Sequence, residues 1–297
     1  MSANAKSIVI RAIRATDIVH ERPMKDLVEN RNRLSLGQKF SLGWKVLREN
    51  GILWTSLLGI YYTSSAIAER SFAAMDARRK KLGLPGLNSA SLNKKIWEAW
   101  DWNAEGEEWT PSPEWKESVI RHILRRHMPE GGTLVEIGPG GGRWTETLLE
   151  VGGRVVAVDI SEECLRVCRE RFSGQDHISF VLTPGNELPG IDDDGIDAIW
   201  SFDVFVHINR AEVEDYAKEF ARVLKPGGTG VLHHGTTGGR SGGWRSNMTA
   251  EAMVEVLEGA GLEVVDQFTQ WTDEGREFDA GLYEDAVTVF RKPIGSR

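Results

Sequence analysis

Thr133-Leu134-Val135-Glu136-Ile137-Gly138-Pro139-Gly140-Gly141-Gly142-Arg143 is the stretch on which the fold turns. A short apolar run of strand character feeds a glycine-rich turn, and Trp144 to Val151 then reads as a helix. Glycines at such a turn let the backbone approach a ligand closely, and the N-terminus of the next helix favours negative charge. This is the physics of a nucleotide-type site. A P-loop is excluded because no Gly-Lys-Ser/Thr follows. The dinucleotide pattern G-x-G-x-x-G would need glycine at 143, where Arg143 stands.

Working outward, strands and helices alternate. Upstream, Ser112-Pro113-Glu114-Trp115 is an N-cap with proline at the first helical position, opening a helix to about Arg126. Downstream, Arg154 to Val158 is a strand ending at Asp159, and Ser161 caps a helix to Phe172. Ile178 to Leu182, Ala198 to Ser201 and Gly230 to His233 read as strands. Helices are expected over Arg210 to Leu224 and over Thr249 to Ala260, the latter closed by Gly261. Leu262 to Phe268 and Ala286 to Arg291 are the last strands, with no helix pattern between them. The alternation predicts an α/β, Rossmann-like parallel sheet covered on both faces, with an antiparallel last pair at its edge.

The remainder of the chain is different in character. Before about residue 95 the pattern is helical, so the expected organisation is a helical extension, 1–95, and an α/β domain, 96–297. Two helices are expected between Ser41 and Arg79, followed by a loop at Leu84-Pro85-Gly86-Leu87-Asn88-Ser89. The run Gly51 to Ala68 carries no charge for 18 residues. That is short for a membrane span, and its serines and threonines dilute it, so burial, self-association or peripheral contact with a membrane surface is expected instead. Roles as a lid, a homo-oligomer contact or a membrane-surface contact stay open for the extension. A net charge of −8 argues against a nucleic-acid partner. Two cysteines, Cys164 and Cys168, read as reduced thiols of a cytoplasmic protein. The N-terminal residues lack the uninterrupted apolar run of a secretory signal.

Asp159 stands about 20 residues past the glycine turn, where a carboxylate can accept both ribose hydroxyls of an adenine nucleoside. Glu136 inside the first strand, the sharp turn Pro226-Gly227-Gly228 and the closing strand pair narrow the ligand further. With VEIGPGGGR, VVAVDIS, SFDVFVHI and LKPGG in this order, residues 112 to 292 resemble class I S-adenosylmethionine-dependent methyltransferases. The resemblance implies that Glu136, Gly138 and Gly140 surround the methionine part of S-adenosyl-L-methionine, and that Asp159 and Ile160 meet the ribose end. It further implies that Thr183, Gly185 or Asn186 meets the adenine, and that Ser201 and Phe202 lie under the reactive centre. An acid that the family often places near position 184 is Pro184 here.

A methyl acceptor needs alignment and, where it is a sugar hydroxyl, a base or a metal ion. Asp203 and His207 follow the fourth strand, while His233 and His234 end the fifth. Neighbouring parallel strands bring these ends to one crevice. Alternation sends 233 and 234 to opposite faces, and His234 is the one expected to reach the acceptor. Three readings are open. In the first, a histidine acts as general base. In the second, Asp203, His207 and His234 form a divalent-cation site for Mg2+ or another ion. In the third, His207 merely packs. The second partly resembles metal-dependent O-methyltransferases that place acid-x-x-acid-His here, except that Val206 replaces the second acid.

Trp97, Trp100, Trp102, Trp109 and Trp115 crowd the segment before the first strand, where packing in the core is the expected role and a lid over the site the alternative. The loop Gly235 to Gly243 leads into Trp244-Arg245. His233, Trp109, Arg240, Trp244 and Arg245 are the expected acceptor contacts, the arginines suiting an anionic or polyhydroxylated molecule. The combination resembles bacterial methyltransferases of glycans and secondary metabolites. That implies O-methylation of a saccharide or a glycosylated small molecule. N- or O-methylation of an aromatic metabolite and a non-catalytic binding protein are the alternatives.

Overall fold

The computed structural model describes residues 35–239, 244–281 and 284–295. Residues 1–34 of the expected extension, and Arg240, lie outside them. Packing divides the chain into two units after Gly83, and residues 84–95 belong with the second.

Among the described residues the first unit consists of helix α1, Leu36–Leu82, 47 residues long. Ser35 and Gln38 form a reciprocal capping box at its start. Arg79, Lys80 and Lys81 occupy its last turn, and Gly83 closes it in the left-handed region at φ 62°. Gly51, at φ 78° and ψ 169°, breaks the helix inside. The two helices expected across Ser41 to Arg79 thus correspond to one run divided at Gly51. The hydroxyls of Thr55, Thr63 and Ser64 donate back to the carbonyls of Gly51, Gly59 and Ile60 at 2.8, 2.7 and 2.7 Å. Among the described residues no helix is long and apolar enough to cross a membrane.

The second unit opens with α2, Ala90–Glu98, capped by Ser89. Two single 3-10 turns follow, Trp102–Ala104 and Glu107–Trp109. Helix α3, Pro113–Val119, begins at the Ser112 cap, passes through a π turn at Ile120–Leu124 and ends over Arg125–His127. Then come β1 (Thr133–Ile137), α4 (Thr145–Val151), β2 (Arg154–Asp159), α5 (Glu162–Arg171) and β3 (Ile178–Leu182). The chain continues through β4 (Ile196–Phe205), α6 (Arg210–Val223), β5 (Leu224–Gly235), α7 (Ala250–Gly259) and β6 (Glu263–Phe268). A hairpin of β7 (Gln270–Asp273) and β8 (Arg276–Asp279) precedes β9 (Asp285–Arg291).

Seven strands form one sheet in the order β3-β2-β1-β4-β5-β9-β6. β1 to β5 pair in parallel, and β9 inserts between β5 and β6, antiparallel to both. The strand reversal at β1/β4 opens the crevice at the strands' C-terminal ends where α/β sheets bind ligands. Strand alternation sorts the core into two layers. Val135, Ile137, Ile199, Phe205 and Leu232 pack with Val213, Tyr216 and Phe220 of α6 and with Met253 and Leu257 of α7. Leu134, Ala198, Trp200, Phe202 and Val231 pack with Trp115, Val119 and Ile123 of α3 and with Leu148 of α4. Buried positions 213, 216, 217, 220 and 223 of α6 recur at helical spacing, which lays one apolar stripe on the sheet.

The β7–β8 hairpin fills the long connection in which no helix pattern was seen. Its Asp273-Glu274-Gly275 turn places Glu274 and Gly275 at φ 48° and 79°. Trp271 Nε1 donates to Ser118 Oγ at 2.6 Å and Trp115 Nε1 to the Asp279 carbonyl at 2.8 Å, which clamps the hairpin on α3.

Candidate functional site

The glycine turn after β1 is built by backbone geometry that only glycine adopts without strain. Gly138, Gly140 and Gly142 sit at φ 71°, 57° and 90°. A Cβ on Gly138 would lie 2.3 Å from Val204 Cγ2, beyond the end of β4's regular pairing. Gly138→Ala therefore combines a left-handed strain with a clash inside a packed region. We expect it to lower unfolding stability by about 2–4 kcal/mol, read by thermal or urea denaturation.

Two buried carboxylates, Glu136 and Asp159, stand beside this turn and form no salt bridge among the described residues, although Arg143 and Arg171 are near enough to favour the charged form of Glu136. Alternation along β1 places Glu136 on the same side as Leu134, where Thr145 Oγ1 at the start of α4 donates to Glu136 Oε2 at 2.6 Å. Burial pushes Glu136 up to about 7, helped by the neighbouring charge of Asp159 and opposed by the Thr145 hydrogen bond. Asp159 ends β2, and the Ser161 N–H donates to its Oδ1 at 2.8 Å. Burial raises Asp159 to about 6, although the N–H groups of Ser161, Gly140 and Ile160 favour its charged form. A buried carboxylate without a salt bridge is costly, so such a site favours a ligand that brings hydroxyl or ammonium donors.

Helix α5 supports the same turn through contacts that the sequence does not reveal. Cys168 Sγ donates to the Gly140 carbonyl at 3.3 Å, and Arg171 Nη1 to the Gly141 carbonyl at 2.8 Å. Phe172 fills the space beside Gly142, where a Cβ would come within 2.6 Å of its ring. Burial pushes both cysteine thiols up, which keeps them protonated and inert. After β3, Thr183 is buried, donating to the Glu187 carbonyl at 2.5 Å and accepting from the Gly185 N–H at 3.1 Å. Gly185 sits at φ 108° against Ile160, and a Cβ there would lie 2.8 Å from Ile160 Cδ1. Asn186 donates to Asp215 Oδ2 on α6 at 3.0 Å, so its amide is already engaged.

The ends of β4 and β5 meet next to the glycine turn. Ser201 Oγ donates to the Ile137 carbonyl at 2.9 Å, joining β4 to β1. Phe202 stacks on His233 with ring centroids 4.2 Å apart. Asp203 adopts φ 62°, a strained value for a residue with a side chain. Its carboxylate pairs with the buried Arg143 and, at 3.0 Å, with His233 Nδ1. Burial alone would raise Asp203, but Arg143 and His233 hold it well below the usual carboxylate range. Arg143, read from sequence only as the break in the dinucleotide pattern, is thus the counter-ion of Asp203.

The expectation that His234 joins Asp203 in the crevice is corrected. Alternation puts His234 on the Leu232 side, where Nδ1 meets the Gly235 carbonyl at 3.0 Å and Nε2 meets Thr288 Oγ1 at 2.7 Å. Both nitrogens are taken, and burial pushes His234 down to about 4. His233 is the one on the Phe202 side.

His207 stands apart from both, half-buried between Trp97 and Trp244 at ring distances of 5.6 and 4.6 Å. Its Nδ1 lies 2.8 Å from the Trp244 carbonyl, which can only accept, so the ring proton sits on Nδ1 and the Nε2 lone pair is open. Burial pushes His207 down to about 4, so it is neutral at neutral pH. The Asp203, His207 and His234 cation set is corrected as well. Among the described residues no group of three or more His, Cys, Asp or Glu side chains can hold a metal ion. Asp203 is neutralised by Arg143, and His234 faces the other layer with both nitrogens engaged.

The tryptophans form one cluster around Trp97. Its ring centroid lies 5.3 to 5.9 Å from those of Trp100, Trp102, Trp109, Trp244 and His207. Trp109 keeps 37% of its surface exposed. Asn93 ties the cluster to the loops after β4 and β5. It donates to the His207 carbonyl and accepts from Trp244 Nε1, each at 3.3 Å. Trp102 and the backbone of Glu105 lie directly on Gly140 and Gly141, where added Cβ atoms would come within 2.7 and 2.6 Å of them. Trp115 belongs instead to the core under the sheet. Arg245 pairs with the buried Asp285, and Asn88 Nδ2 donates to its carbonyl at 2.6 Å.

Comparison with known proteins gives matches to methyltransferases over part of the chain. Residues 135–232 match the family profile described as a methyltransferase domain. The chain is 35% identical over 102 residues to demethylmenaquinone methyltransferase of Tropheryma whipplei (strain Twist), covering 34% of this chain and 41% of that protein. It is 28% identical over 127 residues to a putative O-methyltransferase of Mycobacterium avium (strain 104), covering 40% of this chain and 55% of that one. The chain thus spans about half or less of these curated relatives. Among solved structures, a chain from the complex between the Haloferax volcanii Trm112 methyltransferase activator and a putative methyltransferase superposes with a TM-score of 0.54 at 24% identity. The match covers 69% of this chain and 99% of that one. The N-methyltransferase NodS from Bradyrhizobium japonicum WM9, in complex with S-adenosyl-L-homocysteine, gives 0.50 at 20% identity over 69% and 96%.

Proposed function

We propose that this chain, which carries a class I S-adenosylmethionine-dependent methyltransferase domain, transfers a methyl group to a hydroxyl of a saccharide or a glycosylated small molecule. The observation that carries the methyl-transfer reading is the pair of buried carboxylates, Glu136 and Asp159, around a left-handed glycine turn. The donor set fits the cofactor. Asp159 would hold the ribose diol, Gly138 and Gly140 the methionine part, Glu136 its ammonium end, and Ile160, packed on Gly185, would border the adenine from one side. When bound, the cofactor supplies an electrophilic methyl carbon, transferred in line to the acceptor oxygen with loss of a neutral thioether.

The chain's own residues then have two tasks. Trp109, 37% exposed at the edge of the tryptophan cluster, offers a ring face on which a sugar or another flat molecule stacks. His207, its Nδ1–H fixed on the Trp244 carbonyl, presents Nε2 to take the hydroxyl proton as the oxygen–carbon bond forms. The pairing of Arg245 with Asp285 removes an anchor for an anionic acceptor, which favours a neutral one. No cation is required by this arrangement.

A panel of glycosides, free sugars and phenols, assayed with EDTA and read by mass, tests the reading. Methylated glycosides are the expected products. Methylation of phenols alone would replace the sugar by an aromatic acceptor. Cofactor binding without turnover on any class would favour the binding-protein alternative.

A further inference from the structure

We infer that Arg171 is a positioning residue that latches the tryptophan segment onto the glycine turn and so sets how fast the cofactor enters and leaves. The inference rests on the proposed cofactor role of that turn. Three observations carry it. First, residues 102–105 lie in direct contact with the turn, through the Trp102 ring against Gly140 and the Glu105 backbone against Gly141. A ligand cradled by Gly138 to Gly142 is therefore bordered by this segment. Second, one guanidinium joins both partners. Arg171 Nη1 donates to the Gly141 carbonyl at 2.8 Å, while Nη2 lies 3.0 Å from Glu105 Oε2 and 3.3 Å from Glu146 Oε2. Third, the segment has the backbone of a device held in place. Glu105 sits at φ 57° and Gly106 at φ 88°, so Glu105 is kept in an unfavourable conformation that its contacts must stabilise.

The planar fork of arginine suits this double role, because it can hold a carbonyl and a carboxylate at once while lysine presents a single point charge. Arg171 is anchored itself: it ends α5, and its guanidinium lies 5.1 Å from the centroid of the Phe172 ring that fills the space beside Gly142. The side chain is 20% exposed, and Glu105 is 49% exposed, so the pair is accessible to salt. Glu146 is the competing carboxylate. If Glu105 lets go, Arg171 keeps a partner on α4, and the segment loses its polar tie to the turn while Trp102 stays packed in the cluster.

The test measures exchange of bound S-adenosylhomocysteine against labelled ligand in the full chain. Saturable binding by the unmodified protein first establishes the site itself, so failure of the cofactor reading is seen before any variant is made. Glu105→Gln and Arg171→Ala are each expected to speed dissociation about 10-fold. The two effects should not add, because both open the same contact. Arg171→Lys should recover only part of the slow exchange. Raising salt should speed the unmodified protein toward the variants. The swap Glu105→Arg with Arg171→Glu restores the segment contact but not the Gly141 hydrogen bond. It is expected to dissociate more slowly than Arg171→Ala. Glu105→Gln exchanging at the unmodified rate, or fully additive effects, would overturn the inference, since Arg171 would then act on the turn alone.

Discussion

Asp159→Asn raises the dissociation constant for S-adenosylhomocysteine about 100-fold, as measured by calorimetry. The substitution keeps the shape of a fully enclosed side chain and removes its charge. Two hydrogen bonds to a carboxylate exceed their neutral counterparts by about 1–1.5 kcal/mol each, and about 2.7 kcal/mol is a factor of 100. The fold responds in the opposite sense. Asp159 titrates at about 6 in the folded chain against 3.8 in the open, and Glu136 at about 7 against 4.5. Between these values the folded state binds more protons than the unfolded one, so the free protein loses stability as pH rises from about 4 to about 7. Asp159→Asn should therefore melt higher than the unmodified chain at neutral pH and show a flatter pH dependence. A variant that binds cofactor normally would remove Asp159 from the site.

His207→Ala lowers turnover on the methylated acceptor by roughly 10²–10⁴-fold, the range in which a positioned base acts. The ring is neutral over the working range because burial holds it near 4. Activity limited by His207 should stay flat above about pH 5 and fall only in acid. His207→Asn can still donate to the Trp244 carbonyl and so separates packing from proton transfer. It should keep the loop order and remain slow. Full turnover by both variants, with folding shown by unchanged melting, would leave His207 as packing among tryptophans.

Much of the domain was open to reading in one dimension. Parallel strands buried on both faces are short apolar runs, and the strand–turn–helix around Gly138 to Gly142 follows from glycine's backbone freedom. Glu136 and Asp159 could be placed because strand ends are where such residues must stand. The choice between His233 and His234 could not be made from alternation. Alternation says only that they part, and both faces of this sheet are buried, so neither looks like the ligand side. Only Phe202 stacking and the turn at Asp203 decide it. Arg143, Arg171 and Phe172 were silent because their roles depend on contacts between distant segments. Arg245 looked like a free cation until Asp285, 40 residues on, was seen beside it. The β7–β8 hairpin had a signal that went unused, the Asp273-Glu274-Gly275 turn between residues of alternating character.

The most direct test of a methyl donor held by the glycine turn is a calorimetric titration of the full chain with S-adenosylhomocysteine. The account predicts saturable one-to-one binding that Asp159→Asn weakens about 100-fold. Absence of binding at millimolar ligand would contradict it.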